Sequence, residues 1–148
     1  MSSYKTIFVG TGTVAGDGSL QHPFTSLANA LGLAKTNTVI NLLSGRHELD
    51  TTSIIGKKNI TLKSYDGRAC SILIKGSLTV DSTDIAFSGI SLAQQPGTGY
   101  TIKAINSSVQ MTGCSIGLLD YTSTEPEVIS LDASILRATN CTLGRSGI

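Results

Sequence analysis

Tryptophan is absent from the chain, and aromatic residues make up only 5% of it. Charge is scarce as well: 14% of residues are Asp, Glu, Lys or Arg, and the net charge is +1. A protein that grips nucleic acid through phosphates gathers Lys and Arg on one face, so this composition argues against a nucleic-acid partner. No apolar run approaches the ~18 residues that a membrane-spanning helix requires. The opening residues, MSSYKTIFVG, lack the apolar stretch of a signal peptide, which points to synthesis in the cytoplasm or to a leader already removed. The three cysteines, Cys70, Cys114 and Cys141, are odd in number and show no CxxC spacing. That argues against both a disulfide framework and a zinc site. No metal or cofactor is expected.

What remains is small and polar or branched and apolar. Ser and Thr fill about a quarter of the 148 residues, beside 16 glycines. That mixture suits many short strands joined by polar turns. The sequons at Asn59, Asn106 and Asn140 read as turn and strand residues.

The turns recur at a fixed distance. With Ile60, Ile85, Val109 and Leu136 as anchors, the separations are 25, 24 and 27 residues. Two residues on stand Leu62, Phe87, Met111 and Ala138; five before stand Ile55, Val80, Ala104 and Leu131. Four on stand Ser64, Gly89, Gly113 and Asn140, residue types that suit a corner, with Gly and Asn free to take positive φ. Five on stand Tyr65, Ile90, Cys114 and Cys141, which reads as a ladder of small apolar thiols in a core. Alternation with period two means that each strand buries one face. Several strands in each ~25-residue repeat are what a parallel β-helix needs. The expected fold is therefore all-β: a right-handed, single-stranded parallel β-helix of about four to five coils in one domain, residues 1–148.

The stretch Gly16–Leu31, GDGSLQHPFTSLANAL, departs from this pattern. Leu27, Ala28, Leu31 and Ala34 recur at helical spacing, Ser26 or Thr25 can cap the start, and Pro23 precedes it. The spacing predicts a helix over about 25–35 within an N-terminal cap of residues 1–37, followed by coils over 38–143. Residues 144–148 are expected to leave the other end open. A phosphate loop would need GxxxxGK[ST] or GxGxxG, and the glycines here fit neither. An amphipathic helix laid over the first coil would instead shield apolar side chains and strand edges.

Asp17-Gly18-Ser19, Pro23 through Leu27, Ala30-Leu31, Val39 through Leu42, Gly45 through Glu48 and Lys58 through Leu62 together resemble the start of the pectin-lyase-like right-handed β-helix superfamily. The resemblance covers roughly residues 8–92. The superfamily includes pectinesterases, polysaccharide lyases and phage tailspikes, so the resemblance implies a fold and leaves the activity open.

Enzymes of that group would place paired carboxylates, or a carboxylate with Lys or Arg, on one outer sheet. The outward ladders here read Thr61, Ala86, Gln110 and Arg137; Ser91, Ser115 and Thr142; Thr79, Lys103 and Ser130. None contains an acidic pair, so no catalytic residue is assigned. Two insertions, 93–100 and 117–127, should lie side by side, and Gln94, Gln95, Tyr100, Asp120 and Tyr121 form a candidate ligand or partner patch. Leu136, Cys141, Leu143 and Ile148 mark an open end that other chains would cover. The leading expectation is a non-catalytic structural or adhesion module, of the phage or virion tailspike, fibre or decoration type. It would be virion-associated or extracellular after assembly. The alternatives are a carbohydrate-active enzyme (a polysaccharide lyase or esterase) and a glycan-binding module, either as part of a longer protein.

Overall fold

The computed structural model describes residues 5–11, 16–50, 52–67, 70–75, 78–94, 102–118 and 129–143. The chain opens with β1 (Lys5–Val9) and the helix α1 (Leu27–Leu33), then β2 (Thr38–Leu42), β3 (Gly45–Leu49) and β4 (Thr52–Ile55). The next round is β5 (Ile60–Ser64), β6 (Cys70–Ile74) and β7 (Leu78–Asp81). Then follow β8 (Asp84–Ser88), β9 (Ser91–Gln94) and β10 (Ile102–Ile105), and after them β11 (Ser108–Thr112), β12 (Ser115–Leu118) and β13 (Ile129–Asp132). A last round begins with β14 (Ile135–Thr139) and β15 (Thr142–Leu143).

Successive strands go to three different sheets. One sheet runs β1-β2-β5-β8-β11-β14, a second β3-β6-β9-β12-β15, and a third β4-β7-β10-β13. Every pairing between these strands is parallel. The architecture is thus all-β with one short helix, built as rungs that each give one strand to each sheet. It is compatible with a β-helix, although the three sheets do not close on one another. The register of the anchors is the one the repeat implies: Ile60 pairs with Ile85, Ile85 with Val109, and Val109 with Leu136. The strand before the first anchor is shifted by one: Ile54 pairs with Val80 and is buried, whereas Ile55, expected on that ladder, pairs with Asp81 and is exposed, because the corner from Ile55 to Ile60 holds one residue more than that from Asp81 to Ile85.

The core lies between the sheets. Leu62, Phe87 and Met111 fill one inward ladder and Ile54, Val80 and Ala104 another, all buried. Their burial is the main favourable term in a fold with so few charges, at roughly 25 cal/mol for each Å² of apolar surface removed from water.

Single left-handed residues turn the corners. After β4, β7, β10 and β13 these are Gly56, Ser82, Asn106 and Ala133; after β8, β11 and β14 they are Gly89, Gly113 and Asn140. Ser64, expected at the second corner, stays inside β5. Five residues separate β5 from β6, where two separate β8 from β9. The longer link turns through a 3₁₀ segment, Tyr65–Gly67, and takes positive φ at Gly67 instead.

Helix α1 is shorter than its expected span. Ser26 caps it by accepting a hydrogen bond from Asn29 N–H at 3.2 Å, and the chain turns extended at Ala34. Its buried side chains, Leu27, Ala30 and Leu31, lie over the first strands, in contact with β1, β3 and β4. The helix C-terminus is held from the corner after β4. Lys57 Nζ donates to Leu31 O at 3.1 Å, Gly32 O at 3.3 Å and Ala34 O at 2.5 Å. A cation among the last carbonyls satisfies acceptors the helix cannot satisfy itself and opposes its dipole.

Candidate functional site

Thr61, Ala86, Gln110 and Arg137 share one outward ladder, and Ser71, Ser91 and Ser115 another. Ser115 Oγ donates to Ser91 Oγ at 3.0 Å, a cross-rung hydroxyl pair. Several charged groups pair with opposite charge and stand in solvent. Glu48 binds Lys75 Nζ at 2.6 Å and lies 3.6 Å from Arg46; Lys58 lies 3.8 Å from Asp84. The Lys75 ammonium beside it holds the Glu48 carboxyl below the usual carboxylate range, and Glu48 in turn holds Lys75 above its own. That is the reverse of a carboxylic acid raised to give up a proton at neutral pH. Among the described residues no group of His, Cys, Asp and Glu could hold a metal ion.

Both histidines and the glycine turn serve local structure. His47 is buried in β3, and its Nε2–H donates to Leu43 O at 2.8 Å. It borders a polar hollow of about 300 Å³, shared with Thr11, Thr25, Ser26, Arg46 and Glu48, between the start of α1 and the free edge of β3. The N–H groups of Asp17 and Gly18 both donate to His22 O at 2.9 Å, and Asp17 Oδ1 accepts from Ser19 N–H at 3.0 Å. Those N–H groups are spent inside the turn, where a phosphate loop would aim them outward.

The cysteines are free thiols. Cys70 and Cys114 are buried, and burial pushes both thiols up, away from the reactive thiolate. Cys141 lies one rung beyond Cys114, as the ladder implies, but Tyr65, expected on the same ladder, opens the 3₁₀ segment of the longer link after β5 and packs edge-on against Phe8. Its Sγ accepts Cys114 N–H at 3.5 Å and donates to Thr139 O at 3.3 Å.

The proposed ligand patch is only partly in view. Gln94 ends β9, opposite Leu118 of β12, so the two insertions leave from adjacent strand ends of one sheet. They return at Ile102 and Ile129, which are also paired. Gln95, Tyr100, Asp120 and Tyr121 lie outside the described residues.

The far end of the stack differs from everything before it. On the ladder Ile54, Val80, Ala104, Leu131, the first three side chains are 2%, 0% and 0% exposed, and Leu131 is 45% exposed. Ile135, on the outer ladder of Asp84 and Ser108, is 56% exposed. Leu136 and Cys141, named from the sequence, are partly buried against the core. Leu143 closes β15, and Ile148 lies outside the described residues. The repeat places Leu131 on the ladder of Val80 and Ala104 but carries no sign of its exposure, and Ile135 falls at a position otherwise held by polar residues, Asp84 and Ser108.

A second device recurs at this corner. Thr83, Ser107 and Ser134 each follow a left-handed residue. Thr83 Oγ1 accepts Lys57 N–H at 3.3 Å, Ser107 Oγ accepts Thr83 N–H at 3.1 Å, and Ser134 Oγ accepts Ser107 N–H at 3.0 Å. Each hydroxyl also donates to the carbonyl two residues before it, in Asp81, Ile105 and Asp132. The hydroxyls lock each rung to its predecessor and leave no buried polar side-chain atom unsatisfied among the described residues.

Compared with protein-family models, with curated proteins and with solved structures, the chain matches none. No helix among the described residues is long and apolar enough to cross a membrane.

Proposed function

We propose that the chain is a right-handed parallel β-helix of the pectin-lyase-like type that serves as a non-catalytic structural module, joined to other chains at its C-terminal end. One observation carries this reading: an inward ladder position buried in three successive rungs is 45% exposed in the fourth, at Leu131. Apolar surface of that kind, bounded by three strand edges, is characteristic of an interface. The paired, exposed charges of the outer sheets add support, since they offer no acid–base couple. A virion setting, as fibre, tailspike or decoration component, extends the reading by the resemblance over roughly residues 8–92 alone.

Two measurements test it. Incubation with pectate, alginate and capsular polysaccharides should release neither unsaturated uronates nor reducing ends, and release of either would contradict a non-catalytic role. Hydroxyl-radical footprinting should find Leu131 oxidised in the free chain and shielded in the assembly isolated from its source. Equal oxidation in both would contradict the assembly role.

A further inference from the structure

The second sheet begins one rung later than the first. β1 and β2 both belong to the first sheet, and β3 is the first strand of the second. Among the described residues nothing pairs with the other edge of β3. Lys75 N–H donates to Leu49 O at 2.7 Å, which fixes the alternation along the strand. The main-chain groups of Gly45, His47 and Leu49 face β6, and those of Arg46 and Glu48 point away from it, off the free edge. Neither the N–H nor the C=O of Arg46 or Glu48 has a hydrogen-bond partner among the described residues.

That edge borders the polar hollow of about 300 Å³ beside the start of α1, a size at the small end of ligand sites. Its side chains offer both signs of charge. The Arg46 guanidinium is 61% exposed, and its one charged neighbour, Glu48 Oε2, lies at 3.6 Å, beyond hydrogen-bond reach. Glu48 gives its other oxygen, Oε1, to Lys75 Nζ at 2.6 Å, so Oε2 keeps its lone pairs. Between the two in sequence, His47 turns the opposite way and is only 4% exposed. Its Nε2–H is given to Leu43 O, so the neutral ring carries its lone pair on Nδ1, which has no partner among the described residues. No enclosed side-chain nitrogen or oxygen is left unsatisfied among those residues, so Nδ1 reaches open space, and the open space beside His47 is this hollow.

A ligand matching these walls brings an anionic acceptor for Arg46 and a donor for His47 Nδ1 and Glu48 Oε2. A simple carboxylate or phosphate serves Arg46 and sets its charge against Glu48; a simple amine does the reverse. We propose that the hollow is a binding site for a free α-amino acid, whose carboxylate takes the Arg46 fork and whose ammonium meets His47 Nδ1 and Glu48 Oε2. Thr11 and Thr25 line the rest of the hollow, so a short polar side chain suits it. The site stands at the lidded end of the stack and goes beyond the structural-module reading without depending on it.

The test is an NMR titration of the full chain with L-serine, with 3-hydroxypropionate, which lacks its ammonium, and with ethanolamine, which lacks its carboxylate. Serine should saturate at about 1–10 mM, moving the amide signals of Arg46 and Glu48 and the Nδ1 signal of His47. Each analogue should bind about tenfold more weakly, because each leaves one charge of the site unmatched. Arg46→Gln changes an exposed side chain, should keep the fold, and should weaken serine about tenfold. Glu48→Gln should weaken serine and leave 3-hydroxypropionate unchanged. No saturable shift up to about 50 mM serine would overturn the proposal. Equal binding of either analogue would also overturn it, by defining a site for one charge alone. Serine binding indifferent to both substitutions would do the same.

Discussion

The two ends of the stack solve the same problem with unequal means. At the N-terminal end, Leu27, Ala30 and Leu31 of a seven-residue helix cover the first strands, and Lys57 ties off the helix carbonyls. At the C-terminal end the same kinds of side chain are left in solvent, at Leu131 and Ile135. A helix of seven residues has little stability of its own, so it persists only because the core accepts its apolar face. The contrast shows that rung stacking sets no limit of its own. A stack ends where something other than a rung is supplied, and among the described residues only one end has it.

The sharpest way to break the contrast is to make equivalent deletions inside and at the edge. Leu62→Ala should cost about 2–5 kcal/mol, because the cavity is enclosed on every side. Leu131→Ala should cost about 1 kcal/mol or less, since half of that side chain is already in water. Chemical denaturation reads both, and equal losses would mean that the far end is as well covered as the middle. Next comes the lid's fastening. Lys57→Met keeps the aliphatic stem and removes three hydrogen bonds, and should destabilise by about 1–2 kcal/mol. Exchange at Ala34 N–H should rise with it, while the terminal rung should not respond.

A smaller effect, of opposite sign, is expected at the open end. Ala133 takes φ 50 on a ladder otherwise filled by Gly56, Ser82 and Asn106. Glycine reaches that region without a Cβ penalty, so Ala133→Gly should stabilise by about 0.5–1 kcal/mol, read as a rise in the thermal midpoint. The smallest effect belongs to Glu48 and Lys75. The lowered Glu48 value means that the pair's contribution is present above the ordinary Glu value and fades as pH falls through the folded one. In full solvent it should barely move stability. NMR titration should show the depressed Glu48 midpoint, and Lys75→Met should return it towards the free value.

Much of this was legible in the residues. The register was visible because period-two alternation repeated at 24–27 residues, and the Asn and Gly corners stood at fixed offsets. The link after β5 was not, since five residues replace two and carry the turn past Ser64 to Gly67. Lys57 was hidden because its partners lie 23–26 residues earlier, and a lysine in a polar turn reads as solvated. The Thr83–Ser107–Ser134 hydroxyl ladder kept the anchors' spacing of 24 and 27. It was lost among the many Ser and Thr residues whose side chains only suit a strand. The patch around Tyr100 and Tyr121 belongs to insertions that carry no repeat, so periodicity could place only their roots, at Gln94 and Leu118.

One end of the stack is covered by α1, and the other presents Leu131 to solvent. Native-state amide exchange along the corner ladder Gly56, Ser82, Asn106, Ala133 tests it most directly in the free protein. Strong protection at the first three and fast exchange at Ala133 is the expected result. Protection at Ala133 equal to that at Asn106 would contradict it.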